Sequence, residues 1–172
     1  AGAGSGKTRV ITQKIAYLIR DCGFQPRSVA AITFTNKAAK EMQERVARLL
    51  SRSTAEEAQI STFHALGVRI LREEATALGF KPRFSIFDAA DSAGIISEVS
   101  GTVDKATLRH LQAIISHWKN ALVTPEAAAR LARNALEARA AHTYLSYEAT
   151  LKAYQAMDFD DLIGLPVRLF GE

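Results

Sequence analysis

Ala1-Gly2-Ala3-Gly4-Ser5-Gly6-Lys7-Thr8 opens the chain, and the apolar residues behind it, Val10, Ile11, Ile15, Leu18 and Ile19, recur at helical spacing as far as a stop at Gly23. A run of small residues ending in Gly-Lys-Thr directly ahead of a helix is the pattern of a phosphate-binding loop, here with Ala1 in place of the usual first glycine. Gly2, Ala3, Gly4, Ser5 and Gly6 let the backbone wrap a β-phosphate, and the N–H groups at the helix start form an anion-binding nest. Lys7 is the point charge for the β- and γ-phosphates, Thr8 the hydroxyl ligand for Mg²⁺, and Arg9 the next cation in line. Lys7 and Thr8 are therefore the candidate catalytic residues, Gly2 to Arg9 the candidate ATP-binding stretch, and ATP with Mg²⁺ the expected cofactors. The strand expected ahead of such a loop is missing from the chain, which begins inside the motif.

Working outward, Val29-Ala30-Ala31-Ile32-Thr33-Phe34 is almost wholly apolar and predicts a strand buried on both faces of a parallel sheet. A helix follows, with Ala38, Met42, Val46, Leu49 and Leu50 on one face and Glu41, Glu44, Arg45 and Arg48 on the other. A brief strand near Ile60 leads into a third helix carrying Leu66, Ile70, Leu71, Ala75 and Leu78, closed by Gly79. Strand and helix alternation predicts a parallel α/β sheet, whose ligand sites lie at the carboxyl ends of its strands.

From Lys81 the pattern is helical. Asp88 reads as an N-cap for a helix to about Val99; Leu108, Leu111, Ile114, Ile115 and Trp118 mark another. Thr124-Pro125-Glu126 starts an alanine-rich helix through Leu136, and a last helix includes Tyr144, Tyr147, Leu151 and Tyr154. Trp118 and these tyrosines recur at helical spacing and are read as packing residues.

Composition narrows the function classes. At 172 residues, 48% hydrophobic and 23% charged, the chain is an ordinary globular one, with no run near the roughly 18 apolar residues of a membrane span and no apolar secretory leader, so a cytoplasmic home is expected. Cys22 stands alone, too few thiols for a disulfide framework or a cysteine-type zinc site. The net charge of +4 is uneven: residues 1–80 hold 12 Lys/Arg against 7 Asp/Glu, while residues 158–172 hold 1 against 4. The basic excess sits with the phosphate-binding segment and suits a polyanionic partner.

Three further stretches carry a family resemblance. Ile32-Thr33-Phe34-Thr35-Asn36-Lys37-Ala38-Ala39-Lys40-Glu41-Met42 and Ser61-Thr62-Phe63-His64-Ala65-Leu66-Gly67 resemble the second and third motifs of the UvrD/Rep group of superfamily-one DNA helicases. Met157-Asp158-Phe159-Asp160-Asp161-Leu162-Ile163 resembles the segment just before that group's acidic ATPase motif, and with Ile115-Ser116-His117-Trp118-Lys119-Asn120 the likeness covers nearly the whole chain, closest to the Rep side of the group. The resemblance implies an ATP-driven motor moving 3′ to 5′ on single-stranded DNA, with a 3′-tailed duplex as substrate of the parent enzyme and roles in DNA replication or repair. It implies an incomplete RecA-like α/β fold with an inserted all-helical subdomain: a first motor domain over 1–80, the insert over 81–157, and a return to the motor domain over 158–172. It also implies that Phe34, Thr35, Asn36, Lys37, Thr62, Phe63 and His64 line the DNA track.

The residues support that track independently, since both clusters fall where a strand ends and a helix begins. An exposed Phe34 stacks on any base, and Thr35, Asn36 and Thr62 hold phosphates. The competing readings are that Phe34 finishes the buried strand, that Phe63 belongs to the core, and that His64 is a satisfied helix-start histidine. Asp158, Asp160 and Asp161 are read as N-terminal acids on a short helix, favoured by its dipole, and not as a metal cluster. No Asp-Glu dipeptide occurs, so the acidic motif, the catalytic base and the phosphate-stabilising arginine of such motors are absent, and the chain alone is expected to lack turnover. One other function competes, a small P-loop phosphotransferase with a helical lid; a third reading, a non-catalytic module whose helical insert binds protein, is not exclusive of the first.

Overall fold

The computed structural model describes residues 6–171, which fall into two compact units, Ala1–Leu66 and Gly67–Glu172. The class is the expected one: mixed α/β with two short parallel strand pairs, an incomplete RecA-like core with helical insertion.

In the first unit, α1 (Lys7–Arg20) is followed by β1 (Ala30–Thr33), α2 (Asn36–Leu49), α3 (Arg52–Glu57) and β2 (Gln59–Thr62). β1 and β2 pair in parallel with Ala30 opposite Gln59 and Thr33 opposite Thr62. Ile15, Val29, Ala31, Met42, Val46 and Ala55 form the core. The helix expected from the spacing of Val10, Ile11, Ile15, Leu18 and Ile19 is present, but its buried stripe is Thr12, Ile15 and Ala16 with Ile19 beside it, while Val10 and Ile11 are exposed. A threonine occupies the first stripe position, its hydroxyl donating to the Arg9 carbonyl, and this hid the true helical face. β1 alternates instead of burying both faces, with Ala31 and Thr33 in and Ala30 out. The short α3, capped by the Ser51 hydroxyl accepting from Thr54 N–H, has no counterpart in the sequence reading.

The helix expected after the strand near Ile60, α4 (Phe63–Glu74), is shorter than expected. It stops before Leu78, and the chain turns through 75–79 with Gly79 in the left-handed region at φ 70°. In the second unit come β3 (Ser85–Phe87), α5 (Ala89–Ser100), α6 (Lys105–Asn120), α7 (Pro125–Leu131), α8 (Ala135–Ala153), β4 (Ala156–Asp158) and α9 (Asp161–Gly171). Asp88 caps α5 as expected, accepting from Ala90 and Asp91 N–H while Asp91 returns the bond to Asp88 N–H, a capping box. The single alanine-rich helix through Leu136 is corrected to two helices. Asn134 accepts from Glu137 N–H and restarts the chain as α8, a break that the Asn-x-x-Glu spacing would have revealed.

α5, α6, α7 and α8 pack around Ile95, Ile96, Leu111, Ile115, Trp118, Tyr144, Tyr147 and Leu151, so Trp118 and two of the tyrosines are the packing residues expected; Tyr154 is exposed. The unexpected strands flank this bundle. β3 and β4 pair in parallel, Ser85 opposite Ala156 and Phe87 opposite Asp158. A second core joins Leu71 and Ala75 to Phe84, Met157 and Leu162. There α4 and α9 meet backbone to backbone. Pro166, inside α9, has no N–H to give the Leu162 carbonyl four residues earlier. Gly67 lies against that carbonyl, and any β-carbon at Gly67 would collide with it.

Candidate functional site: a phosphate-binding helix start and an aromatic step

Gly6, Lys7, Thr8 and Arg9 are described; Gly2, Ala3, Gly4 and Ser5 lie outside the described residues. Gly6 is the N-cap of α1 at φ 74°, left-handed backbone that a β-carbon would strain, and among the described residues no side chain caps the helix. Its first-turn N–H groups lie at the positive end of the helix dipole and have no intrahelical acceptor. Lys7, Thr8 and Arg9 all stand exposed on that turn. The donor set fits a phosphate chain: backbone N–H groups and Lys7 for its oxygens, and the Thr8 hydroxyl for a Mg²⁺ ion, which would supply charge neutralisation there.

The second cluster is set by strand register. Because Thr33 pairs with Thr62, the residues that follow the two strands, Phe34 and Phe63, emerge side by side. Their rings lie 6.2 Å apart at 57°. Phe34 is 93% exposed, so it does not finish the buried strand, and Phe63 at 50% is not a core residue either. Together they make an open aromatic step at the carboxyl ends of the parallel pair.

Around the step the polar residues divide into buried or capping anchors and exposed side chains. The Thr35 hydroxyl caps α2 by accepting from Ala38 N–H at 3.1 Å, and Thr62 is buried, its hydroxyl accepting from Ala65 N–H at 3.3 Å. Thr33, which the motif reading had not singled out, donates to the Thr35 carbonyl at 3.0 Å and approaches the Ser61 carbonyl at 3.4 Å, binding the two strand ends together. Asn36, Lys37 and His64 are exposed at the two helix starts.

The acid cluster is more than a helix start. Asp158 and Asp161 do cap α9 reciprocally, each carboxylate accepting from the other's N–H at 2.9 and 3.1 Å. Both are also buried, with Lys119 of α6 lodged between them at 2.8 and 2.9 Å and reaching Glu148 of α8 at 2.7 Å. Tyr147 donates its single O–H to Asp158 at 2.9 Å and lies 2.9 Å from the Ser92 hydroxyl, which is left to donate to the tyrosine oxygen. Asp160 alone is outside this cage, accepting from Asn120 at 2.9 Å. Burial alone would strip the proton from Lys119, but Asp161, Glu148 and Asp158 hold it, well above the ordinary lysine value. The same burial pushes the Asp161 carboxyl up to about 7 against the pull of Lys119. The neighbouring Asp158 and Glu148 carboxylates add to that upward push. No group of metal ligands occurs among the described residues.

With this geometry in view, the sequence comparisons settle the family. Residues 1–172 match the UvrD/REP helicase N-terminal domain.

The chain belongs to the UvrD/REP helicase family.

It is similar to the ATP-dependent DNA helicase Rep of Escherichia coli, 53% identical over 172 residues, and to Rep of Salmonella typhimurium, 52% identical, each alignment covering 98% of this chain and 26% of the relative. The ATP-dependent DNA helicase PcrA of Leuconostoc citreum is 44% identical over 99% of this chain and 23% of its own length. The chain thus spans about a quarter of these relatives. No helix among the described residues is long and apolar enough to cross a membrane.

Proposed function

We propose that this chain is the N-terminal ATP- and DNA-binding portion of a helicase that moves 3′ to 5′ along single-stranded DNA, the remaining motor domains lying on the same polypeptide. The observation that carries the reading is the open Phe34–Phe63 step at the strand ends. Stacking is indifferent to base identity, which is what a translocating motor requires of its grip. Lys37, Asn36 and His64 stand beside the step for phosphate contacts, and Gly6 to Arg9 take ATP with Mg²⁺ at Thr8. We assign residues 1–80 to the first motor domain, 81–157 to a helical insert and 158–172 to the returning motor domain.

The 172-residue chain alone is expected to bind nucleotide without appreciable DNA-stimulated turnover. An arginine reaching across the site is worth about 10³–10⁵ in rate in P-loop enzymes, and no acidic ATPase motif is present to orient water. Titration with labelled single-stranded DNA at low and moderate salt tests the binding half: a salt-sensitive complex indifferent to sequence is expected. No complex at low salt would remove the reading in favour of a phosphotransferase or protein-binding module. Steady-state phosphate release tests the other half. Robust DNA-stimulated release by the short chain would mean that a catalytic acid has been overlooked.

A further inference from the structure

The Lys119 cage is costly to build and unexplained by ATP or DNA binding. Its lysine and two of its aspartates are almost fully buried, with side-chain exposures of 4%, 8% and 11%. Removing such ions from water costs about as much as their mutual attraction returns, so well-packed apolar residues would serve stability equally well. What an apolar patch lacks is direction. Salt bridges at 2.7 to 2.9 Å admit one arrangement of the helices that carry them, whereas apolar side chains slide.

The four charged groups come from four different elements. Lys119 is in the last turn of α6, Glu148 belongs to α8, Asp158 ends β4 and Asp161 opens α9. Tyr147, also on α8, adds a bond to Asp158 and extends the cage to Ser92 on α5. A single ammonium therefore ties the bundle to the corner where the chain leaves it. That corner is already stiff, through the reciprocal caps of Asp158 and Asp161.

We infer that Lys119 is a positioning residue: through Asp158, Asp161 and Glu148 it fixes the angle between the α5–α8 bundle and the β4–α9 corner, so that the bundle moves as one body with the 158–172 segment that the proposed function assigns to the returning motor domain. The inference rests on the helicase reading for its functional half and on the cage alone for its geometric half. Lys119 touches neither nucleotide nor DNA in this role.

The test must separate orientation from stability. In the full-length protein, Lys119→Met combined with Asp158→Asn and Asp161→Asn removes the buried charges together, keeps an oxygen acceptor at both capping positions, and leaves Glu148, the most exposed member, to water. The triple variant should melt at or above the parent temperature. Two readouts follow, on a background in which every cysteine, the exposed Cys22 included, is serine. Spin labels replacing the exposed Leu145 of α8 and Val167 of α9 report the angle. The expected result is a broadened label-to-label distance distribution, with kcat for DNA-stimulated ATP turnover lowered about 10-fold or more and KM for ATP unchanged, because misplacement acts on turnover and not on ground-state nucleotide binding. If either the distance distribution or kcat stays at the parent value in the stably folded variant, the inference is overturned. If the unsubstituted protein has no DNA-stimulated turnover, the helicase reading has failed instead, and the distance distribution still decides whether the cage sets the angle.

Discussion

The two units handle polar residues in opposite ways. In the first, Phe34, Asn36, Lys37 and His64 are turned outward, and buried hydroxyls such as Thr33 and Thr62 serve only to fix the strand ends from which they project. In the second, Lys119, Asp158, Asp161, Thr143 and Ser92 are buried. Outward polar groups on a rigid edge face solvent; inward ones spend their bonding capacity on each other. The contrast teaches that a motif resemblance does not say which way its residues face. Phe34 and Asp158 both lie in stretches that resemble family motifs, yet one meets solvent and the other a lysine.

The most disruptive way to break the contrast is to empty the cage of its only lysine. Lys119→Met alone leaves Asp158 and Asp161 buried beside Glu148 without a cation, and should cost about 3–5 kcal/mol in a denaturant titration. A loss below about 1 kcal/mol would show that water or another cation already serves these acids.

Next in size is Gly67→Ala. The added methyl must displace the Leu162 carbonyl, which belongs to backbone and not to a yielding side chain, so about 1–3 kcal/mol of stability should go. Calorimetry would register an undisturbed melting temperature if α4 and α9 were less closely seated than described.

Phe34→Ala probes the outward half. A 93% exposed ring contributes little to packing, so the melting temperature should hold while affinity for single-stranded DNA falls by about 1–3 kcal/mol. Lost stability with DNA affinity intact would return Phe34 to the core.

The last test reads a change of slope. Burial raises the Asp161 carboxyl to about 7, so the folded chain holds a proton there that the unfolded chain, near the ordinary carboxylate value of about 4, has released. The contribution is complete below about pH 4 and is lost as pH rises through about 7, the reverse of the exposed caps Asp88 and Asp104, whose backbone or hydroxyl hydrogen bonds lower their values and favour folding above the carboxylate range. Asp161→Asn should flatten the fall in melting temperature between pH 5 and about 7.5. An unchanged profile would place the titrating group elsewhere.

How much the sequence disclosed follows the same division. α1, α2, the Asp88 cap and the Thr124-Pro125 start were legible because each is a local pattern of spacing and capping chemistry. The aromatic step was half legible: the strand-to-helix junctions were visible, but that Phe34 and Phe63 are neighbours depends on the register of Thr33 with Thr62, a pairing across chain positions that no periodicity reports. The cage was illegible for the same reason. Asp158 and Asp161 carry the spacing of a helix start, which is true of them, and nothing near them in sequence names a lysine 39 residues away as their partner. β3 and β4, three residues each, are too short for alternation to register.

The parallel pairing of those two strands has a consequence for how such a chain can change over time. Parallel neighbours always need a long crossover between them, and here the crossover is the whole bundle, leaving after Phe87 and returning at Ala156 one strand-width away. An excursion that ends beside its starting point imposes no displacement on what lies before and after it. Loops between Asp88 and Gln155 are thus free to lengthen or shorten while Ser85 and Ala156 stay in register and Ser92, Lys119, Tyr147 and Glu148 keep their places in the cage.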